Sequence, residues 1–481
     1  MRRIHYWSAA GAVSLVAWSV GACSTDGAVD STSALTDAGV GPSSDVLEEG
    51  DAAPVDDGID LDAFGRVECG VTPCVTALAA RGGAHVCALL SDRTVRCWGA
   101  NADGQLGRGP SEDAGADAGA ALPSSGRPLP VVGVDEVTQL SVTGRERMGT
   151  SCARREDGAV MCWGGNRHGE LGLSADRPII DAEPHPVPSA VRGLGPVGRV
   201  DLGGSFACAT TLSEPAPAGE SSSADSGARE AGGRMYCWGW NNAFQLGRGE
   251  LPQKHAVAGE TALDFRRVRV GAGTLRNGFA IRDNGELLSW GGALSTRSSA
   301  TASTELDALG RASSFDADGQ PMPIPRLTEV RSISAGDTFA CAVSAGAAYC
   351  WGRSKVGALG NGTGQEEPTP FAVALPTARR IVQIATSNET TCALTIDREV
   401  HCWGANTEGQ LGNGTDQRQL YPVQVSALSG RDVVQVAAMD AATCALLRDG
   451  SVVCWGSNID GQLGIGGVDD LPHYAPQPVM F

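Results

Sequence analysis

Short runs of alternating or β-branched apolar residues recur along this chain between turns rich in Gly, Asp and Asn. The clearest unit is DVVQVAAMDAATCALLRDGSVVCWGSNIDGQLGIG, residues 432–466. Val433 to Ala437 predicts one strand and Thr443 to Leu447 a second; Asp449-Gly450 is a turn, and Ser451 to Trp455 predicts a third strand. The segment Ser457 to Gly464 then turns on glycines, and stretches such as Tyr421 to Val425 supply a fourth strand. Aligned on Trp-Gly, the unit occurs seven times, at Trp98, Trp163, Trp238, Trp290, Trp351, Trp403 and Trp455. Three of the intervals are 52 residues and the others, 61 to 75, contain insertions.

Four short antiparallel strands repeated seven times predict an all-β fold, a seven-bladed β-propeller. A blade cannot bury its own two faces, so each must stack on both neighbours, and the recurring Trp is expected to wedge between blades. Burying one indole removes roughly 150–250 Å² from water and contributes on the order of 4–6 kcal/mol against an extended chain. The first copy begins at Val75 to Ala79 without a Pro-x-Val strand before it, whereas Pro476 to Met480 follows the last copy. The C-terminal strand is therefore expected to pair into the first blade.

The unit resembles the repeat of the regulator of chromosome condensation family, whose pattern here is Asp-Gly, then Trp-Gly-x-Asn-x-x-Gly-Gln-Leu-Gly-x-Gly. It stands almost complete at Trp98–Gly109, Trp403–Gly414 and Trp455–Gly466. The third copy departs to Trp238-Gly239-Trp240-Asn241-Asn242-Ala243-Phe244-Gln245-Leu246-Gly247, the fifth drops the Asn and Gln, and the fourth, Trp290-Gly291-Gly292-Ala293-Leu294, reads as having lost the motif. The resemblance covers residues 75–481. It implies the propeller fold but no single activity, because the family hosts nucleotide exchange, inhibition and scaffolding alike.

Glycine is abundant (65 of 481) and aromatics are few (5%), in keeping with tight turns and short strands. The formal charge of −18 argues against nucleic acid, which needs clustered Lys and Arg. Residues 24–68 alone carry −11. They lack the spaced apolar residues needed to pack, and are read as an acidic disordered tether. Before them, Arg2 and Arg3 precede an apolar stretch of about 15 residues, short for a membrane span, that ends in Val20-Gly21-Ala22-Cys23. This resembles the lipobox of bacterial lipoproteins. It implies a signal peptide over 1–23, lipidation of Cys23 and, with Ser24 next, an outer-membrane address. The propeller is assigned to 69–481.

Fifteen cysteines fit an oxidising compartment. Apart from Cys23, twelve fall as one pair per copy in six copies: Cys87 with Cys97, Cys152 with Cys162, Cys208 with Cys237, Cys341 with Cys350, Cys392 with Cys402 and Cys444 with Cys454. The three-residue loop Arg448-Asp449-Gly450 sets its pair directly opposite. In the fifth copy, that of Cys341 and Cys350, the spacing and the loop shrink together, so the register still opposes the pair. In the fourth copy both members are replaced at once, by Phe279 and Ser289. Losing both or neither points to disulfides. Cys69 and Cys74 are expected to clip the junction between tether and propeller. The chain has no C-x-x-C, and its histidines do not cluster with the Cys pairs, so no metal is assigned.

Insertions lie at Pro110 to Gly126 and Ala293 to Pro321 after the third strand, and at Glu214 to Gly233 within a hairpin turn. Asp316-Ala317-Asp318-Gly319 starts like a calcium loop but lacks the remaining ligands, and reads as a polar turn. Trp240 and Phe244 stand where other copies place small or polar residues, which makes them candidate binding anchors. No P-loop, H-E-x-x-H or G-x-S-x-G occurs, so no catalytic residue and no cofactor is assigned. His85, His168 and His401 are the residues an enzyme reading would use first.

The expected function is that of an exported, lipid-anchored, monomeric binding or scaffold module of the cell envelope, engaging a protein or glycan through propeller-face loops without catalysis. The alternatives are an inhibitor of an extracellular or periplasmic enzyme, similar to propeller-type β-lactamase-inhibitory proteins, then a propeller lyase or glycosidase, then a guanine-nucleotide exchange factor.

Overall fold

The computed structural model describes residues 64–481 apart from 110–121, 212–233, 250–253, 262–267, 293–307, 314–316, 355, 366 and 377–378. The expected signal peptide, Cys23, the expected tether as far as residue 63 and the greater part of the three insertions lie outside the described residues. The rest forms seven four-stranded antiparallel sheets, each made of four consecutive strands in chain order. The blades run Val75–Pro130, Val137–Ala190, Val197–Glu260, Val268–Pro323, Val330–Ala372, Ile381–Gln424 and Val433–Pro478. First strands of adjacent blades touch around the ring, so they line the axis and the fourth strands form the rim.

The second strand of each blade is largely buried on both faces because it is covered by a blade on either side. His85–Leu90, Phe339–Ser344, Thr390–Thr395 and Ala442–Leu447 are buried at every position. All seven Trp side chains are fully buried. Each indole N–H donates to a backbone carbonyl of the preceding blade. Trp163 reaches Gln105 O at 2.8 Å, Trp238 reaches Glu170 O at 2.7 Å, and Trp455 reaches Gln410 O at 2.9 Å. At the closing seam Trp98 reaches Gln462 O at 3.0 Å. A buried indole without a partner would carry the desolvation cost of its N–H uncompensated, so the wedge is held in one orientation.

The C-terminal strand does not pair into the first blade. His473–Pro478 pairs with Val452–Gly456 of its own blade, and the first blade is completed by Ser125–Pro130, which follows the insertion after Trp98. After each post-Trp loop the chain turns back along its own third strand, so no blade borrows a strand. Closure instead repeats an ordinary seam. Gln435 accepts from Leu78 N at 2.9 Å and donates to Leu78 O at 2.7 Å. Gln383 makes the same pair with Val436, and Gln139 with Val200.

Two further expectations change. The fourth copy retains the end of its motif, displaced to Ala308-Leu309-Gly310. Trp351 donates to Ala308 O at 2.8 Å, as the other Trp residues do one blade on. Asn277, from the second strand, accepts from Ala308 N at 2.8 Å and so ties the displaced segment to the blade, one residue before the Leu that the motif Asn holds elsewhere. The insertion is therefore residues 293–307. The segment around Asp318 is also not a turn: Ala317–Pro323 is the outer strand of that blade, and Asp318 pairs with Arg311 at 2.9 Å. Asp316 lies outside the described residues.

In six blades the second and third strands place Cys opposite Cys, with Cα atoms 4.1 Å apart. Disulfides join Cys87 to Cys97, Cys152 to Cys162 and Cys208 to Cys237 in the first three blades. They join Cys341 to Cys350, Cys392 to Cys402 and Cys444 to Cys454 in the last three. In the fourth blade, Phe279 faces Ser289 in the same register. A seventh disulfide joins Cys69 to Cys74 ahead of the first strand.

If closure is one seam among equals, Gln435→Ala and Gln383→Ala should each lower unfolding free energy by about 1–3 kcal/mol, as for two hydrogen bonds. A far larger loss for Gln435→Ala in denaturant titration would mark the closing seam as special. The Cys208–Cys237 bridge spans 29 residues and Cys341–Cys350 spans 9. Paired Cys→Ala replacement should cost roughly 3.5 kcal/mol in the first and roughly 2.5 kcal/mol in the second, from loop-closure entropy. Equal or reversed losses would refute that origin.

Candidate functional site

Strand direction reverses at every step in a blade, so the loops after the first and third strands share one face. The hairpin turns and blade-to-blade connections share the other. The loop face is assembled by the repeat motif itself. Asn101, Asn166, Asn241, Asn406 and Asn458 each accept from the backbone N–H of the motif Leu five residues on. Gln105, Gln245, Gln410 and Gln462 fold back onto the backbone N–H two residues before them. These side chains are buried and structural. What reaches solvent is the position after the Asn: Ala102, Arg167, Asn242, Thr407 and Ile459.

The third blade interrupts this pattern. Trp240, half-buried at the end of a third strand, stacks on His168 of the second blade with ring centroids 4.6 Å apart and planes at 10°. His255 lies on the same stack, 5.8 Å from His168, and its Nδ1 is 3.1 Å from His168 O. Trp240 Nε1 and His168 Nδ1 are buried without a hydrogen-bond partner among the described residues. Burial, reinforced by His255, Lys254 and Arg167, pushes the His168 imidazole down to about 4, so it is neutral at physiological pH. Phe244 is half-buried with φ of 60° and turns the other way, its ring against Gly319 of the fourth blade. Trp240 and Phe244 thus occupy one loop but face different blades.

At the centre of the same face, Arg81 follows the first inner strand and reaches over the channel. It donates to Ala335 O at 2.6 Å, to Leu202 O at 2.5 Å and to Gly273 O. Those carbonyls end the inner strands of three other blades. Burial lowers the guanidinium to about 10, and Asp337 and Asp201 act against that fall, so it stays charged. Beside it, Asp440 accepts from Gly83 N at 2.9 Å, from Asn388 N at 3.2 Å and from Glu146 N at 3.4 Å, which ties together loops of four blades. Burial pushes the Asp440 carboxyl up to about 6.

The other histidines lie elsewhere. His85 is buried at the first–second blade seam with Nε2 3.0 Å from Ser151 Oγ, and burial lowers it to about 4. His401 is buried in the sixth blade; its Nε2 is 3.5 Å from Glu399, long for a hydrogen bond. The three do not converge. Among the described residues no group of three His, Cys, Asp or Glu is placed to hold a metal ion.

Glu170 has a clear sequence signal that the motif reading passed over: it stands where other copies place Gln. It is buried, and its Oε2 accepts from His168 N at 2.8 Å, as Gln105 does from Asp103 N. Burial, helped by Asp103 and opposed by the N–H groups it accepts, pushes the carboxyl from 4.5 up to about 7. Folding therefore favours the protonated acid. The resulting stability is complete below pH 4.5 and is lost as pH rises through about 7. Glu170→Gln should remove that loss, worth on the order of 3 kcal/mol at pH 8. Asp440, His85 and His168 titrate alike in parent and variant, so the melting temperature of the variant should gain on that of the parent as pH rises from 4.5 to about 7. An unchanged pH profile would overturn the assignment.

A family model described as Regulator of chromosome condensation (RCC1) repeat matches residues 345–394 and 397–446. A second model of the same description matches 75–105, 149–170, 381–410 and 433–462. The chain is 28% identical over 403 residues to the ultraviolet-B receptor UVR8 of Arabidopsis thaliana, covering 82% of this chain and 80% of that protein. It is 27% identical over 325 residues to the human E3 ubiquitin-protein ligase HERC2, but spans only 6% of that protein's length. Among solved structures, Prp20p of Saccharomyces cerevisiae superposes with a TM-score of 0.62 at 17% identity, covering 88% of this chain and 90% of that one. Human WBSCR16 gives 0.62 at 20% identity, with 81% and 95% covered. The chain is a seven-bladed propeller that carries regulator of chromosome condensation (RCC1) repeats at 75–105, 149–170 and 345–462.

Proposed function

We propose that this protein is an exported binding module, lipid-anchored through Cys23, that engages a protein partner through the loop face of its propeller and performs no catalysis. The observation that carries the reading is the Trp240–His168–His255 stack. An indole and an imidazole lie there side by side, each with a buried polar atom that finds no partner among the described residues. Buried polar atoms without a partner cost stability, and a site that keeps them is a candidate functional site. Aromatic anchors with a polar atom are typical binding hot spots.

Two features support the setting. Seven disulfides fit an oxidising compartment. The described chain also enters on the hairpin-turn face, where Phe64 lies under the Arg398 guanidinium at 4.0 Å and Arg448 meets Glu68 at 3.4 Å. A protein of the same fold binds proteins: the yeast Prp20p structure describes binding to Gsp1p and histones.

The test is site-specific photocrosslinking on whole cells, with the crosslinker at Asn242 on the loop face or at Asp449 on a hairpin turn. A defined protein adduct from Asn242 alone, reduced at least tenfold by Trp240→Ala at unchanged melting temperature, is the expected outcome. Adducts from Asp449 alone, or glycan captured in place of protein, would overturn the reading.

A further inference from the structure

The inner strands enclose a cavity of about 330 Å³ along the propeller axis. Its lining includes Arg81, Arg199, Arg331, Ser332 and Asp201. Among the described residues three arginines and one carboxylate line it, and Asp337 acts on Arg81 at the loop-face mouth, so the charge without a counterpart is that of Arg331, inside a protein whose formal charge is −18. The two ends of the channel differ. Arg81 spans the loop-face mouth, held by carbonyls at the ends of three inner strands. The segment after it is held on both sides, by Gly144 N to Arg81 O at 3.0 Å and by Asp440 N to Gly83 O at 3.3 Å. Entry is therefore from the hairpin-turn face, where the inner strands begin.

The free groups along the wall are donors. Arg331, the second residue of its inner strand, is exposed to the lumen and has no hydrogen bond or ion pair among the described residues. Arg199 pairs with Asp201 through Nε and Nη2, at 2.8–3.0 Å, which leaves Nη1 unused in that pair. Ser332 occupies the strand position that Gln139, Gln383 and Gln435 hold in other blades. Those glutamines cross to the next inner strand, whereas the Ser332 hydroxyl has no partner among the described residues and its smaller side chain leaves space beside Arg331. Guanidinium groups are donor-only and match oxyanions in pairs, and the enclosure is at the small end of ligand-site volumes.

We propose that the central channel binds a small multivalent oxyanion, entering from the hairpin-turn face and held by Arg331, Ser332 and Arg199 above the Arg81 floor. The site is independent of the loop-face reading. Phosphate and carboxylate ligands share this chemistry, so sodium pyrophosphate and sodium citrate are titrated separately into the full chain by calorimetry, at ionic strength matched with sodium chloride. Saturable binding of one anion per chain by either is expected, and the tighter of the two identifies the ligand class. Arg331→Ala should weaken it about tenfold or more and leave the ligand-free melting temperature unchanged. Ser332→Gln, which restores the seam glutamine and fills the space, should abolish binding without loss of stability. Arg418→Ala, an exposed arginine on the rim, should bind as the parent does. No saturable binding at millimolar anion, equal binding by both channel variants, or equal weakening by Arg418→Ala would overturn the site. If Arg331→Ala fails to fold, Ser332→Gln decides alone.

Discussion

One contact recurs at every seam and sets the geometry of the rest: an indole N–H donated to the backbone of the blade before it. The carbonyl it meets belongs to the residue preceding the Leu-Gly of the motif, and the glycine of that pair lies on the indole. In all seven copies this glycine has φ between 60° and 74°, and a Cβ there would come within 2.6–3.1 Å of the Trp Nε1. A side chain is excluded twice, by conformation and by contact. Ring and glycine together fix how far each blade turns from the last. The fourth copy shows what is dispensable. It lacks the motif Asn and Gln, yet Ala308 still supplies the carbonyl and Gly310 the platform. The Cys pairs, seam glutamines and loop face take their positions from this wedge.

Blade number, the strand period and the facing register of the second and third strands were all legible from Trp-Gly phasing, because those features repeat within 35 residues. Ownership of the fourth strand was not. Tyr421 to Val425 lies between one motif and the next β-branched run, and nothing local says which blade it joins. Only the return of the chain along its own third strand decides that. The displaced motif at Ala308 was hidden for a similar reason, since the inserted residues separate Trp290-Gly291 from the Ala308-Leu309-Gly310 end of its own motif, which serves Trp351 one blade on.

The candidate site was legible in part. Trp240 and Phe244 stood out against the other copies, but their divergence toward opposite blades depends on packing. His255, 87 residues from His168, has no sequence signal that would place it on the same stack. Arg81 has even less: its partners come from three other blades, so its role exists only once the ring is closed. Glu170 was readable as a carboxylate in a Gln position, and only its burial makes that substitution consequential.

Closure by an ordinary seam has a topological consequence. An open row of seven blades has six interfaces, whereas the ring has a seventh for the same length of chain. No blade is terminal, so none can peel away by losing a single neighbour; two interfaces must open together. The fourth blade is the least reinforced, with neither a disulfide nor a contiguous motif, and the ring tolerates it because both flanks hold it. The arrangement allows one repeat to drift in sequence while its neighbours preserve its position.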